Sequence, residues 1–431
     1  MTPSSAHREP TQGGPRAWLV WTIAVAFVVY YFSFQTGYSI VNANVQRDVG
    51  LSIAQVGLIA AVYTWMFAIC QFLSGPLLDR LGARRVLLPA IALVTAGIVM
   101  FALARDFQML LLSQVIIALG ACTGFVGAGY VGGTWFGWAR FSFMFGLVQF
   151  AASLFSAFNQ NLLGFALDLF PWRTLFGYVG VAGVALLVVA ALWLRDPAPV
   201  SAPSSGPFLT GVVRSLADVA RRRHVWVAAA FGALCFGAML ALGVVWAPKL
   251  LAVRGLDPDS ANLGASLLWL GLAAGCFVAP WLSDKLRRRK PPVLVGIAIQ
   301  ILALLLLLYV PSQVAVVDFL LCFAFGFGNS AHMLAFSTAA DVVEPQHIGT
   351  SAAIVNGLMF IVGGLMISRP GLRAQLGIEA GLDPGTLQMA QFAGRPLLLG
   401  VCIAFVIALL MRETHPSAAP GANSPEGVRA R

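Results

Sequence analysis

Charge is what this chain has least of. Asp, Glu, Lys and Arg together supply 10% of its 431 residues, against roughly 25% in a soluble globular domain, so a water-facing shell around a buried core cannot be built from it. Acid is the scarcer sign: 17 Asp and Glu stand against 27 Lys and Arg, for a net charge of +10. Every acidic residue falls in a loop, a tail or the end of an apolar run. The basic residues cluster in short loops between apolar runs, which excludes a nucleic-acid surface. Cysteine offers no framework either. Cys70, Cys122, Cys235, Cys276, Cys322 and Cys402 sit singly inside apolar runs without CxxC spacing, which leaves them as small buried hydrophobes rather than metal ligands or disulfides. HExxH, GxSxG and phosphate-loop motifs are missing, so no enzyme, cofactor or metal is expected. The polar stretch Met1 to Pro15 leads into an apolar run too long for a signal-peptide core, and no cleavage is expected.

What the chain has is apolar length. Hydrophobic residues make up 59%, with 44 Gly and 30 Phe, and the mean hydropathy is +0.84; such a sequence is accommodated only if most of it meets lipid. The reading is an all-α polytopic membrane protein. A spanning helix needs about 20 apolar residues, and twelve runs qualify: 17–45, 55–78, 86–104, 108–134, 141–166, 172–194, 225–248, 261–282, 292–310, 314–338, 348–368 and 391–411. With both ends inside, 19 of the 27 Lys and Arg lie on the cytoplasmic side. Only Arg47, Arg105, Arg173, Lys249, Arg254, Arg369, Arg373 and Arg395 lie outside, as the positive-inside rule requires. Residues 196–207 are Pro- and Ser-rich and cannot pack; 209–224 alternate apolar residues with arginines, as a helix lying on a lipid or solvent boundary would. The expected organisation is a cytoplasmic tail (1–16), a six-helix bundle (17–195), a cytoplasmic linker (196–224), a second six-helix bundle (225–411) and a tail (412–431).

The halves repeat. Gly75-Pro-Leu-Leu-Asp79-Arg80-Leu-Gly82-Ala-Arg84-Arg85 follows span two, and Ala279-Pro-Trp-Leu-Ser-Asp284-Lys285-Leu-Arg287-Arg-Arg-Lys290 follows span eight, with Asp284 falling 205 residues after Asp79. Gly120 and Gly124 correspond to Gly326 and Gly328, and Gln149 to Asn356. Matching halves are the mark of repeat-built transporters. The first loop resembles the cytoplasmic signature of the major facilitator superfamily, and twelve spans with a long central linker extend the likeness over most of the chain. That resemblance implies two pseudo-symmetric bundles, and a latch in which Gly75, Asp79, Arg80, Gly82, Arg84 and Arg85 hold the cytoplasmic helix ends together in the outward-open state. In the second copy the glycine spacing is lost, and Arg287, Arg288, Arg289 and Lys290 read as topology signals. Departures narrow the class: Ile116 stands where many members have arginine, and span five lacks the Gly-Pro motif of drug/proton antiporters. The arginine pairs of organophosphate and nitrate carriers are absent too. The loose likeness is to oxalate/formate and monocarboxylate-type carriers.

Polar residues facing lipid are costly, so polar stripes mark the bundle interior. In span one Tyr31, Gln35, Tyr38 and Asn42 fall on one helical face, and the resemblance places that helix along the pore. In span five Gln149, Ser153, Ser156 and Gln160 repeat the pattern beside Asn159 and Asn161, where interhelical glue and substrate contact are both open. Tyr130, with Thr134 and Thr123, suits the inner half of the pore. Asn356 matters as the partner of Gln149 across the pseudo-twofold. Asn329 and His332 share a face of span ten with Phe325 and Phe336. His332 is the one deep side chain that titrates near neutrality, which makes it a coupling candidate as well as a neutral hydrogen-bonding residue. Lys249 either snorkels to the interface or adds positive charge to the outer mouth.

Together these features give a secondary transporter of a small polar solute, an organic anion such as a monocarboxylate, working by alternating access as a symporter or antiporter. Its partners are that solute and the lipid bilayer; a monomer in a bacterial inner membrane is expected. A sensor or receptor of the same fold, using Arg221 to His224 toward a cytoplasmic partner, and a drug or metabolite exporter are the alternatives.

Overall fold

All twelve runs are helices in the computed structural model, which describes residues 13–197, 208–312 and 314–418. No strand occurs among the described residues. Spans one to six are Pro15–Val49, Ile53–Leu81, Ala83–Leu103, Phe107–Phe136, Phe141–Leu169 and Trp172–Trp193. Spans seven to twelve are Arg223–Val253, Pro258–Leu286, Lys290–Tyr309, Ala315–Ala340, Ile348–Glu379 and Leu387–Leu409. The protein is an integral membrane protein by these twelve helices.

Local chemistry starts and stops them. Ser52 and Gln55 form a reciprocal capping box at the head of span two, and Asp106, Asp257 and Thr386 accept from the first turns of spans four, eight and twelve, meeting donors that no helix can satisfy itself. Gly82, at φ 79°, turns span two into span three; an L side chain is strained at that angle. Span eleven runs eleven residues past its expected end, through Pro370 to Glu379, because hydropathy marks where lipid stops and not where the helix stops. Spans four, seven and ten are interrupted, the second by a π-helical turn at Leu242–Trp246 and the third by a 3₁₀ turn at Ser330–His332.

Each six-span half packs mainly on itself, and the halves meet along two seams, span two against span eleven and span five against span eight. Related devices tie both halves. On the side where the chain ends lie, Asp196 accepts from the Ala83 and Arg84 amides at 2.8 and 3.3 Å, and Arg84 in turn donates to the carbonyls of Ala191 and Leu194. In the second half Glu413 accepts from the Arg289 and Lys290 amides at 2.7 and 3.2 Å, while Lys290 Nζ donates to Leu409 O at 2.7 Å. On the far side, Arg173 joins Asp48 to the Ala104 carbonyl at the end of span three. Arg254 joins Asp318 to the Leu307 carbonyl near the end of span nine. The Arg254–Asp318 pair is 2.7 Å long with side chains 1% and 0% exposed; Arg254 is thus a buried member of the second half and not a free outer charge.

The linker also differs from expectation. Its helix is Phe208–Ala220, and Trp226 Nε1 closes it by donating to Ala220 O at 2.7 Å. The apolar face bearing Val212 and Val219 is buried against spans two and eleven, not lipid, while the face with Val213 and Arg214 is exposed. It covers the chain-end side of one seam.

Removing one member of a buried ion pair strands the other, which costs about 3–5 kcal/mol, whereas replacing both with apolar residues is far cheaper. Arg254→Met should therefore lower the apparent melting temperature of detergent-purified protein sharply, and Arg254→Met combined with Asp318→Leu should recover most of the loss. A single variant as stable as the parent would show that the pair does not hold the far side together.

Candidate functional site

A cavity of about 330 Å³ lies between the halves on the far side, walled by spans one, two, four, seven and eleven. From span one it receives Gln35, Tyr38 and Asn42, so three residues of the predicted stripe share its wall. Opposite them stand Tyr63, Thr64 and Gln114, with Val244 and Val245 of the π-helical turn and Phe360 of span eleven completing the contact. A π-turn widens a helix locally and is common at functional sites. Tyr63 donates to Gln35 Oε1 at 3.4 Å, and Tyr38 to Val56 O at 3.1 Å. None of the described wall residues is charged. Amides and hydroxyls are the chemistry on offer.

The deeper members of the set are separated from this cavity. Tyr31, Gln149 and Asn356 line a void of about 20 Å³ beneath it, with Phe32 and Phe360 common to both walls. That is room for about one water. Aromatic contacts between the halves close the path: Phe67 on Phe360 at 4.4 Å, Phe145 on Phe336 at 4.5 Å and Phe125 on Phe336 at 5.8 Å. Gln149 donates to Ser153 at 2.9 Å, and Asn356 donates to Gln71 Oε1 at 2.9 Å. Asn356, the counterpart of Gln149 across the pseudo-twofold, shares the small void with it and bonds to Gln71, a buried span-two amide that the polar stripes left out although Ser74 stands one turn further on and accepts from it at 2.7 Å.

Other expectations are corrected. Asn159 donates to Thr36 Oγ1 at 2.6 Å and Ser33 O at 3.2 Å, gluing span five to span one behind the wall of the larger cavity, which Thr36 lines and Asn159 does not. Asn329 donates to Cys235 O at 2.6 Å, and His332 holds Asn329 O at 2.8 Å through Nδ1 while its ring stacks 4.7 Å from Phe236. Both are buried in the second half, and neither is on the wall of the larger cavity or of the small void. Tyr130 lies toward the chain ends, its ring 5.9 Å from Trp138, outside both cavities. Exposed Lys249 sits 4.6 Å over the Trp246 ring and borders a peripheral pocket with Pro370 and Met389, not the central mouth. The side chain of Gln160 lies outside the described residues.

On the chain-end side the seam between spans two and eleven is bonded shut. Asp79 accepts from Gly349 N at 3.0 Å, Thr350 N at 2.8 Å and Thr350 Oγ1 at 2.7 Å, placing a carboxylate on the positive N-terminus of span eleven. Gly75 permits the approach, since a Cβ there would overlap the Gly349 carbonyl. The arginines of the signature do other things. Arg84 binds span six within its own half, as described above, Arg80 lies against Gly211 of the linker helix, and Arg85 is exposed and has no bonded partner among the described residues. The second copy is more than a topology signal: Arg289 is buried and pairs with Asp284 at 2.6 Å and Asp341 at 3.1 Å. Burial pushes the Asp341 carboxyl upward despite the adjacent guanidinium.

A family model described as Major Facilitator Superfamily matches residues 23–367, and the chain belongs to that family. Its relatives are membrane transporters, not enzymes. The "Hexuronate transporter" of Bacillus subtilis (strain 168) is 25% identical over 280 residues, covering 62% of this chain. The chain spans 64% of that relative's length. The "Probable galactarate/D-glucarate transporter GudP" of the same organism is 24% identical over 363 residues, 74% of this chain and 77% of its own. The fold is shared, with a TM-score of 0.60 and 18% identity over 93% of this chain and 96% of the other, with a crystal structure of a bacterial homolog of the human lysosomal transporter Spinster in an inward-facing and unoccupied conformation.

Charge at a helix N-terminus is worth about 0.3–1 kcal/mol when exposed and up to about 2 kcal/mol when partly buried. Asp79→Asn should accordingly shift the balance toward separation of spans two and eleven on the chain-end side, by up to roughly thirtyfold at 1.4 kcal/mol per decade. Spin labels at Leu81 and His347 should show a new longer-distance population; a distribution identical to that of the parent would mean that the seam does not depend on this carboxylate.

Proposed function

We propose that the protein is a secondary transporter that carries a small hydroxylated organic acid across the membrane by alternating access. Both chain ends are cytoplasmic in this reading, so the larger cavity faces outward and the Asp79 seam closes the cytoplasmic side. The observation that carries the proposal is that cavity: it lies between the two halves, it sets neutral amides and hydroxyls into an otherwise apolar wall, and aromatic packing seals it from below. Its volume is at the small end of the 300–1,000 Å³ typical of ligand pockets, which suits a metabolite of sugar-acid size. Positive-inside loops support the orientation, and relatives named for hexuronate and galactarate/D-glucarate support the solute class. Gln35, Tyr38 and Asn42 contact the solute from span one. Tyr31, Gln149 and Asn356 meet it lower down once the aromatic layer parts. His332, off the cavity wall, has a packing role, and a proton moving with the solute needs no side chain of its own.

The test is a thermal-shift screen of purified protein against organic acids, sugars and amino acids, followed by counterflow in proteoliposomes. Ligand binding raises apparent stability by mass action, so a hexuronate or a related acid should do so and should exchange across loaded vesicles. A hydrogen bond to a charged group is worth about 1.5–3 kcal/mol, so Gln35→Ala should weaken that binding about 10-fold or more. Failure of every organic acid both to bind and to exchange would sink the proposal.

A further inference from the structure

Gln114 is a deeply buried polar side chain on the cavity wall that makes no bond to the protein. It sits on span four within Phe107–Ala121, is 2% exposed and borders the cavity. Its Nε2 is buried without a hydrogen-bond partner, and no bond to another described residue involves this side chain. The contrast with other deep amides is direct. Gln71, Gln149, Asn159, Asn329 and Asn356 all donate to protein atoms. Adjacent Ser113 turns back on Leu110 O at 2.6 Å.

A buried donor without an acceptor is unfavourable, and a membrane bundle normally uses its amides as glue between helices. Leucine or methionine at this position would fill the same space without a stranded N–H. The stability of the ligand-free protein therefore gives no reason for the amide, and its position on the cavity wall does. A half-turn of the amide exchanges the buried Nε2 with Oε1 and turns the NH₂ toward the cavity, where its partner is an acceptor oxygen on what enters.

We infer that Gln114 is a ligand-contacting residue that sets specificity by donating its side-chain amide to a carboxylate oxygen of the transported acid. This rests on the proposed transport of an organic acid and adds to it a residue on span four, facing the Gln35 and Tyr38 stripe of span one. An amide meeting a carboxylate supplies a donor without fixing a full positive charge in the path, so the solute is held but not trapped. Exchanging the amide for a carboxylate inverts the preference: glutamate repels an acid while still accepting from a hydroxyl.

The experiment measures the affinity of D-galacturonate, a hexuronate, and of galactitol, an uncharged six-carbon polyol, by calorimetry on the parent, Gln114→Leu and Gln114→Glu, with the melting temperature of each ligand-free protein recorded alongside. Gln114→Leu should weaken galacturonate about 10-fold or more while its ligand-free melting temperature stays equal to or above the parent's. Gln114→Glu should weaken galacturonate further and shift the galacturonate-to-galactitol preference toward the polyol. A parental galacturonate affinity in Gln114→Leu overturns the inference and leaves the transport reading standing. A lower ligand-free melting temperature in Gln114→Leu, restored in Gln114→Met with binding intact, assigns the amide to packing and also overturns it. If the parent binds neither galacturonate nor any other acid of the screen, both readings fail together.

Discussion

Inside a bilayer a polar group has only the protein to bond with, and that constraint organises this molecule. Backbone amides are consumed by helices. Helix ends, where four donors or acceptors are left over, are met by Ser52, Asp106, Asp257 and Thr386, and on the chain-end side by Asp196 and Glu413. Deep amides pair with neighbours on adjacent helices, as Asn159 does with Thr36 and Asn356 with Gln71. Polar groups that escape this pairing concentrate meaning. The larger cavity is where Gln35 and Asn42 stand with spare capacity, because a solute or water can satisfy them there.

The distribution of ionic bonds separates what is fixed from what can move. Arg173 with Asp48, Arg254 with Asp318, and Arg289 with Asp284 and Asp341 all lie within one half, as do the bonds from the Ala83 and Arg84 amides to Asp196. They tie spans at both membrane faces, which favours each half moving as a unit. Between the halves the bonding is lighter. Asp79 on the head of span eleven, the Asn356–Gln71 amide bond, the glycine contact at Gly75 and a layer of phenylalanines contribute to the described closure, and the linker helix lies across it. Carboxylate-to-dipole bonds and ring contacts of this kind are strong enough to bias one conformation and weak enough to be exchanged for another.

Arg80 and Arg289 show what a motif carries and what it leaves out. The first loop matches a signature, yet only its Asp79 and Gly75 join the halves; Arg80 lies on the linker helix and Arg85 is exposed. The second loop lost the glycine spacing and looked like bare charge, yet Arg289 is the buried centre of an ion-pair network. Spacing along a helix records which face a residue is on. It does not record which neighbour that face meets, and a partner such as Asp341 or Glu413 lies far along the chain.

The sequence by itself determined the twelve helices, their alternation, the internal repeat, the side on which basic residues gather and the polar stripe of span one. These follow from apolar length and helical period, which are properties of consecutive residues. Tertiary structure decided the rest. It divided that stripe between a cavity of about 330 Å³ and a void of about 20 Å³, placed Asn159 and His332 off both walls in bonds to neighbouring residues, moved Lys249 to the periphery, buried Arg254 against Asp318, and left Gln114 at the cavity wall without a partner for its Nε2. The physical reason is that a polar side chain in a membrane is defined by what lies opposite it, and in a bundle of twelve helices the opposite residue is chosen by packing between helices distant in sequence.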